Sequence, residues 1–288
     1  MMNRNGALWL SHLALRVVEA TRGHAFDPDI RSHAIEEMRV HGNRGMKIEI
    51  LRNASQSTQR RRPLAFKHLA KAGGSLVIAV LALTVPPDLL TVRLEVDTVT
   101  SKDHEKSFVI GLVREPCSSY VSLWAFGSRG QGGFRRGINR HMGSESAQAY
   151  YGRSVALNSS DDISRFRAWI QLESVRGLVT ARFLSGYSTR PHVDCWVVTD
   201  RLRESVLACL RLYEAQGGVV AMARFDSAWS EALRNASNAS PHGDCAEYFD
   251  GALAAKVREQ LDAPLYRAFK WDGCCGRMPS ASVVHLTS

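Results

Sequence analysis

Leu64-Ala65-Phe66-Lys67-His68-Leu69-Ala70-Lys71-Ala72-Gly73-Gly74-Ser75-Leu76-Val77-Ile78-Ala79-Val80-Leu81-Ala82-Leu83 is the stretch on which the fold turns. Leu64–Leu69 is short and mostly apolar, as a buried strand is; Ala70–Gly74 carries the glycines of a turn; Ser75–Leu83 continues as an apolar helix. A strand that enters a glycine turn and leaves as a helix aims several backbone N–H groups at one spot. The positive end of the helix dipole points there too, so an anion is stabilised. Lys71 adds a mobile full charge at the turn, and Ser75 adds a hydroxyl donor at the helix start. The lysine precedes the glycine pair, so the stretch departs from GxxxxGK(S/T) and an ordinary ATP- or GTP-hydrolysing loop is disfavoured.

Downstream, Thr91–Val99 alternates Val92, Leu94 and Val96 against Arg93, Glu95 and Asp97, which predicts a strand with one wet face. Ser107–Val113 is a nearly continuous apolar run, the pattern of a central parallel strand covered on both faces. It closes on Arg114-Glu115-Pro116, and Ser118–Phe126 suits a helix. Ser122 follows Arg114 by eight residues, so a strand-end arginine and a serine two turns into the helix are placed to converge on one phosphate. Gly127–Gly143, rich in Gly and Arg, is expected to be a long surface loop, and long loops in compact domains tend to be functional. Asp161–Glu173 has the spacing of a core-facing helix through Ile163, Phe166 and Ile170. Cys195–Val198 is a short strand feeding a helix over Asp200–Glu214, and Ala246–Phe269 supplies one or two helices broken near Pro264. The expectation is an α/β domain over residues 63–288, with a central parallel sheet flanked by helices. An N-terminal extension, residues 1–62, precedes it with one or two short helices and a strand at Met46–Leu51.

Composition narrows the partners. The formal net charge is +9, and arginine supplies 30 of the 37 basic residues, the side chain best shaped for forked contacts to phosphate and sulfate oxygens. An anionic partner and a merely solvated basic surface both fit that balance. No groove-reading motif or aromatic–basic interleaving is present, so a nucleic-acid partner is not expected. No CxxC pair suggests a metal site, and six cysteines are too few for a small disulfide-stapled scaffold. Cys274 and Cys275 are adjacent; pairing with distant cysteines in an oxidising compartment and free buried thiols both stay open. The most apolar run, Val77–Val85, is about half the ~20 residues a membrane span needs, so no span is expected. Asn-x-Ser sequons begin at Asn53, Asn158, Asn235 and Asn238 and matter only in the secretory pathway.

The turn resembles the 5′-phosphosulfate-binding loop of the sulfotransferases that use 3′-phosphoadenosine 5′-phosphosulfate (PAPS). The carbohydrate members of that family commonly read F-x-H-x-x-K-(T/A)-(A/G)-G-(S/T). Phe66, His68, Lys71, Gly73, Gly74 and Ser75 match, and Leu76 stands where the family usually has a second hydroxyl residue. The later stretch is similar to the family's 3′-phosphate pattern, R-(D/E)-P-x-x-R-x-x-S-x-(Y/W). Arg114, Pro116, Ser122 and Trp124 match, while Ser119 replaces the inner arginine. Weaker echoes at Ala181–Gly186, Val197–Leu212 and Asp262–Tyr266 follow in order, so the resemblance spans roughly Leu64–Trp271.

The resemblance implies a P-loop-type three-layer α/β/α fold and transfer of a sulfuryl group from PAPS to a hydroxyl acceptor, a carbohydrate, leaving PAP as product. It implies that Lys71, Ala72, Gly73, Gly74, Ser75 and Leu76 hold the 5′ end of the cofactor and that Arg114 and Ser122 hold its 3′-phosphate. Lys71 is then catalytic, no Mg²⁺ is required, and the Golgi lumen is the expected compartment. Such enzymes often use a His or Glu between the two motifs as general base, and that interval offers Glu95, His104 and Glu105. His104, in the polar turn Ser101–Lys106, ranks first for its ordinary pKa near neutrality. His68 is expected to pack or hydrogen-bond beneath the loop, and His141, beside Arg135, Arg136 and Arg140, to be able to meet an acidic sugar. Two other readings stay open: a catalytically degenerate, anion-binding relative, which Leu76 and Ser119 favour, and a P-loop phosphotransferase. The acceptor loops Gly127–Ser160 and Ser185–Val193 carry no transferable motif.

Overall fold

A computed structural model describes residues 61–128, 157–172, 175–187, 193–235 and 242–278. Four short strands, β1 (Leu64–Lys67), β2 (Leu90–Arg93), β3 (Phe108–Val113) and β4 (Cys195–Val198), pair in the order β2-β1-β3-β4. Every pairing is parallel, with Leu64 opposite both Leu90 and Phe108, and Ile110 opposite Cys195. The chain leaves β1 for β2 on one side, then crosses back to β3 on the other. Its connections therefore diverge between β1 and β3, and the crevice beyond the carboxyl ends of strands at such a point is where open α/β sheets receive ligands.

The strands divide their side chains by the two-residue period of an extended chain. Ala65, Val109, Val113, Trp196 and Val198 enter one buried cluster, and Leu64, Phe66, Phe108, Ile110, Leu112, Cys195 and Val197 enter the other. Helix α1 (Gly74–Thr84) follows β1, and α2 (Ser101–Lys106) lies between β2 and β3. After β3 come α3 (Pro116–Ser128), α4 (Ser160–Ile170) and α5 (Leu178–Tyr187). After β4 come α6 (Leu202–Ala215), α7 (Phe225–Asn235), α8 (Cys245–Tyr248), α9 (Gly251–Lys256), a π-helical turn at Val257–Leu261 and α10 (Ala263–Phe269). Side chains of α1, α6 and α7 join the second cluster; those of α3, α4, α5 and α10 join the first. Both faces of the sheet are thus covered, and β3, six buried residues long, is apolar throughout because it has no wet face.

Three expectations change on contact with the structure. The strand predicted over Thr91–Val99 stops at Arg93: Asp97 Oδ2 accepts from Leu94 N at 2.7 Å, and Asp97 N donates to the Leu94 carbonyl at 3.0 Å. That local turn leaves Leu94 41% and Val96 91% exposed, so their alternation reports no sheet face. Ser101–Lys106 is a helix, started by a reciprocal pair in which the Thr100 hydroxyl accepts from Asp103 N and the Asp103 carboxylate accepts from Thr100 N.

The cysteines are the third. All six are joined, as Cys117–Cys274, Cys195–Cys209 and Cys245–Cys275, with Cα pairs 5.5–5.6 Å apart, so the free-thiol alternative is not the one the fold adopts. Each such link stabilises a domain by about 2–4 kcal/mol. The N-terminal extension through residue 60 and nearly all of the Arg-rich loop, His141 included, lie outside the described residues.

Candidate functional site

The turn after β1 passes twice through the left-handed region, at Lys71 (φ 58°) and at Gly73 (φ 88°). Gly74 is required for a different reason: a Cβ there would lie 1.8 Å from His68 Cδ2, so the imidazole occupies the space a side chain would need. His68 therefore packs under the turn, as the sequence suggested. The N–H of Ala72 is spent on the Leu69 carbonyl and that of Leu76 on the Gly73 carbonyl, at 3.3 and 3.1 Å. Gly73 and Gly74 donate to no group among the described residues, so at the head of α1 their amides keep the unclaimed hydrogens of a helix start. Ser75 is exposed beside them.

Ala72 is fully buried, and Leu76 packs against the core around α1, so these two expected cofactor contacts shape the turn and present no polar group from it. The ammonium of Lys71 rests 4.1 Å over the Phe126 ring of α3.

Arg114, one residue past β3, reaches into this turn. Its Nη1 donates to the Lys71 carbonyl at 2.8 Å and its Nε to Ser118 Oγ at 2.9 Å. Burial lowers the guanidinium pKa to about 10, with the neighbouring Glu115 charge acting against that fall. Glu115 is committed elsewhere: its carboxylate accepts from Cys117 N at 3.0 Å, from Ser118 N at 2.6 Å and from the Tyr266 hydroxyl, capping the start of α3. Burial raises the Glu115 pKa, and those bonds oppose the rise. No carboxylate among the described residues bonds the Arg114 guanidinium, and a guanidinium has five N–H groups, so most of its donors are unspent.

Ser122, the expected partner of Arg114, is 4% exposed within α3, whereas the serine bonded to Arg114 is Ser118. Thr199, at the end of β4, also serves the site: its Oγ1 lies 2.7 Å from the Ala72 carbonyl and 3.1 Å from that of Val113. Neither Ser118 nor Thr199 stands out in sequence. Ser118 had its position four residues after Arg114, one helical turn, as a signal; Thr199 had none.

A second polar cluster adjoins the turn. Lys67 is fully buried, and its Nζ donates to the carbonyls of Leu94 at 2.5 Å and Glu95 at 3.2 Å. Its stem passes Gly186 of α5, where a Cβ would lie 2.9 Å from Lys67 Cε, which explains the glycine of the Ala181–Gly186 segment. Burial lowers the Lys67 pKa, with Asp97 and Glu95 acting against it. The Glu95 carboxylate, 52% exposed, stands 3.9 Å from His68 Nε2. Burial lowers the pKa of His68 and of Arg182, and in both cases the Glu95 charge opposes the shift.

His104 is not in this company. Its Nδ1 lies 3.3 Å from Asp194 Oδ2, and that carboxylate also accepts from Val109 N at 2.7 Å. Val109 precedes Arg114 by five residues, roughly 16 Å along an extended strand, so His104 belongs to the opposite edge of the sheet. The reason is topological. Helix α2 leads into the amino end of β3, while Glu95 directly follows the carboxyl end of β2. Glu105 shares α2 with His104.

The C-terminal D-x-x-L-Y segment supports the site from beneath. Asp262 is fully buried and accepts from Thr180 N and the Tyr120 hydroxyl, both at 2.8 Å, while Tyr266 reaches Glu115. An open depression of about 340 Å³ over α10 is lined by Arg258, Glu259, Ala263, Tyr266 and Arg267, and of the groups above it shares Tyr266 alone.

No family model, curated protein or solved structure matches the chain. Among the described residues, no helix is long and apolar enough to cross a membrane.

Proposed function

We propose that the chain is a PAPS-dependent sulfotransferase on a P-loop-type three-layer α/β/α fold, acting on a hydroxyl of a carbohydrate. The observation that carries this reading is Arg114, a desolvated cation that bonds no carboxylate among the described residues and donates to the backbone of the turn whose Gly73 and Gly74 amides are unclaimed among them. Desolvating a guanidinium is costly, and an arriving anion offsets part of that cost.

When bound, PAPS supplies the sulfuryl group on its 5′-phosphate. Lys71 and the amides of Gly73, Gly74 and Ser75 neutralise the charge that grows on the leaving phosphate, the electrostatic term that usually contributes most. The contact of Lys71 with Phe126 does not oppose this. At this half-buried ring a cation contact is worth about 0.5–2 kcal/mol and a charge-assisted hydrogen bond roughly 1.5–3, so an anion in the turn competes with the ring for the ammonium. Arg114 orients the nucleotide and does no chemistry. Glu95, exposed beside His68 at the same edge, takes the place of His104 as the group positioned to accept the hydroxyl proton. The disulfides favour an oxidising compartment such as the Golgi lumen.

Thermal melting with PAP tests the reading. At a hundred times its dissociation constant a ligand stabilises by about 2.7 kcal/mol. Stabilisation by ATP with Mg²⁺ and none by PAP turns the assignment to a phosphotransferase. Stabilisation by PAP without transfer of labelled sulfate from PAPS to any of a panel of glycans and small alcohols turns it to a degenerate relative.

A further inference from the structure

We propose that Asn158 carries an N-linked glycan. It heads Asn158-Ser159-Ser160, the sequon whose three residues all lie among the described ones. Asn158 is exposed and adopts φ 70°, a left-handed conformation that asparagine tolerates better than most residues. Its Oδ1 accepts from the Tyr248 hydroxyl at 2.8 Å and from Gly243 N, so the carbonyl end of the amide faces inward. Nδ2 donates to no group among the described residues and is left on the outer side. Ser159 caps α4 by accepting from Asp162 N at 3.2 Å, whereas the hydroxyl of Ser160, exposed at the first helical position, makes no hydrogen bond among the described residues.

A second observation, independent of any sulfotransferase activity, places the chain where this modification happens. All six cysteines are in disulfides, the state of proteins folded in an oxidising lumen. There the Asn158 amide nitrogen attacks the anomeric carbon of an oligosaccharide carried on a polyprenyl diphosphate. A C–N bond forms, the C–O bond to the diphosphate breaks, the diphosphate leaves with the electron pair, and the amide gives up one proton. Transfer precedes folding. The fold decides whether the product is tolerated, and an outward Nδ2 anchored through Oδ1 holds a glycan in solvent without disturbing Tyr248 or Gly243.

The test uses the full chain made in eukaryotic cells, alongside Ser160→Ala, which removes the sequon and keeps both Asn158 bonds. We expect an N-glycosidase to shift the parent by one glycan more than the variant, and to convert Asn158 to Asp in the tryptic peptide of residues 154–165. An unmodified Asn158 in protein whose disulfides have formed overturns the proposal. So does a chain recovered with free thiols and no glycan, or a Ser160→Ala protein with the parent's glycan complement.

Discussion

The two edges of this sheet hold their cations in opposite ways. At the amino edge, Arg62 Nη2 and His104 Nδ1 converge on Asp194, at 3.4 and 3.3 Å, and the same carboxylate accepts the Val109 amide. The Arg62 charge there is answered by a carboxylate, and the cluster closes the fold around the starts of β3 and β4. At the carboxyl edge, Arg114 is held by a carbonyl and a hydroxyl, neutral groups that orient a guanidinium without neutralising it. Glu115 sits next to it in sequence and is diverted to capping α3. One arginine meets a carboxylate within the fold; the other is bonded to none among the described residues.

Substitutions can break that contrast, and the largest effect is expected at the turn. Lys71→Ala should lower sulfate transfer from PAPS by roughly 10²–10³-fold, the usual effect of removing one group that stabilises developing charge. Transfer at the parent rate would end the assignment of Lys71 to the reaction. Next comes the proposed proton acceptor: Glu95→Gln should lower turnover by about 10²-fold, the lower end of what a general base contributes, with PAP binding intact, while His104→Gln leaves turnover unchanged. The reverse order of effects would put the acceptor hydroxyl on the other side of the sheet, where neither Lys71 nor Arg114 could serve it.

Two further substitutions separate binding from stability. Arg114→Met should abolish the melting-temperature rise that PAP produces and leave the ligand-free protein no less stable, because the charge removed was desolvated and bonded to no carboxylate among the described residues. Asp194→Asn should do the opposite. It strips the counter-charge from Arg62, alters the contact with His104 Nδ1 and weakens the bond to Val109 N, costing roughly 1–3 kcal/mol of folding stability, with the PAP response retained. Denaturant unfolding with and without PAP reads both quantities in one experiment. If both variants lose stability equally, the two edges do not differ in kind.

What the sequence made legible follows the same line between local and non-local physics. β3 and β4 were readable to within a residue because continuous burial writes an unbroken apolar run, and the turn between β1 and α1 because its glycine positions define it. The β2 strand was read too long because Leu94 and Val96 alternate with charges in a segment where Asp97 has already closed a turn. Helix α7 drew no expectation, although Phe225, Ala228, Trp229 and Ala232 recur at helical spacing and are its buried face. In the site, Arg114 was visible at the end of an apolar run, but its true neighbours were not. Its Nη1 bonds the Lys71 carbonyl and its Nε the Ser118 hydroxyl, Thr199 ties the same turn to the end of β3 from across the chain, and only tertiary packing shows that His104 faces away.

The smallest expected effect sharpens the role of His68. Burial under the turn lowers its pKa, so the folded state resists a proton that the unfolded chain accepts at its ordinary value near 6.5. As pH falls below about 6.5, the unfolded state binds more protons than the folded one, and stability must decline until the folded-state pKa is passed. One group contributes at most about 1.4 kcal/mol per pH unit to that slope. His68→Gln keeps a polar side chain beside Gly74 without the titration, so it should flatten the decline in unfolding free energy between neutral and mildly acidic pH. An anion in the turn should also flatten it, by favouring the protonated imidazole in the folded state. PAP and the substitution would then act on one slope, and their effects should not add. Additive effects would mean that His68 does not sense the anion whose turn it supports.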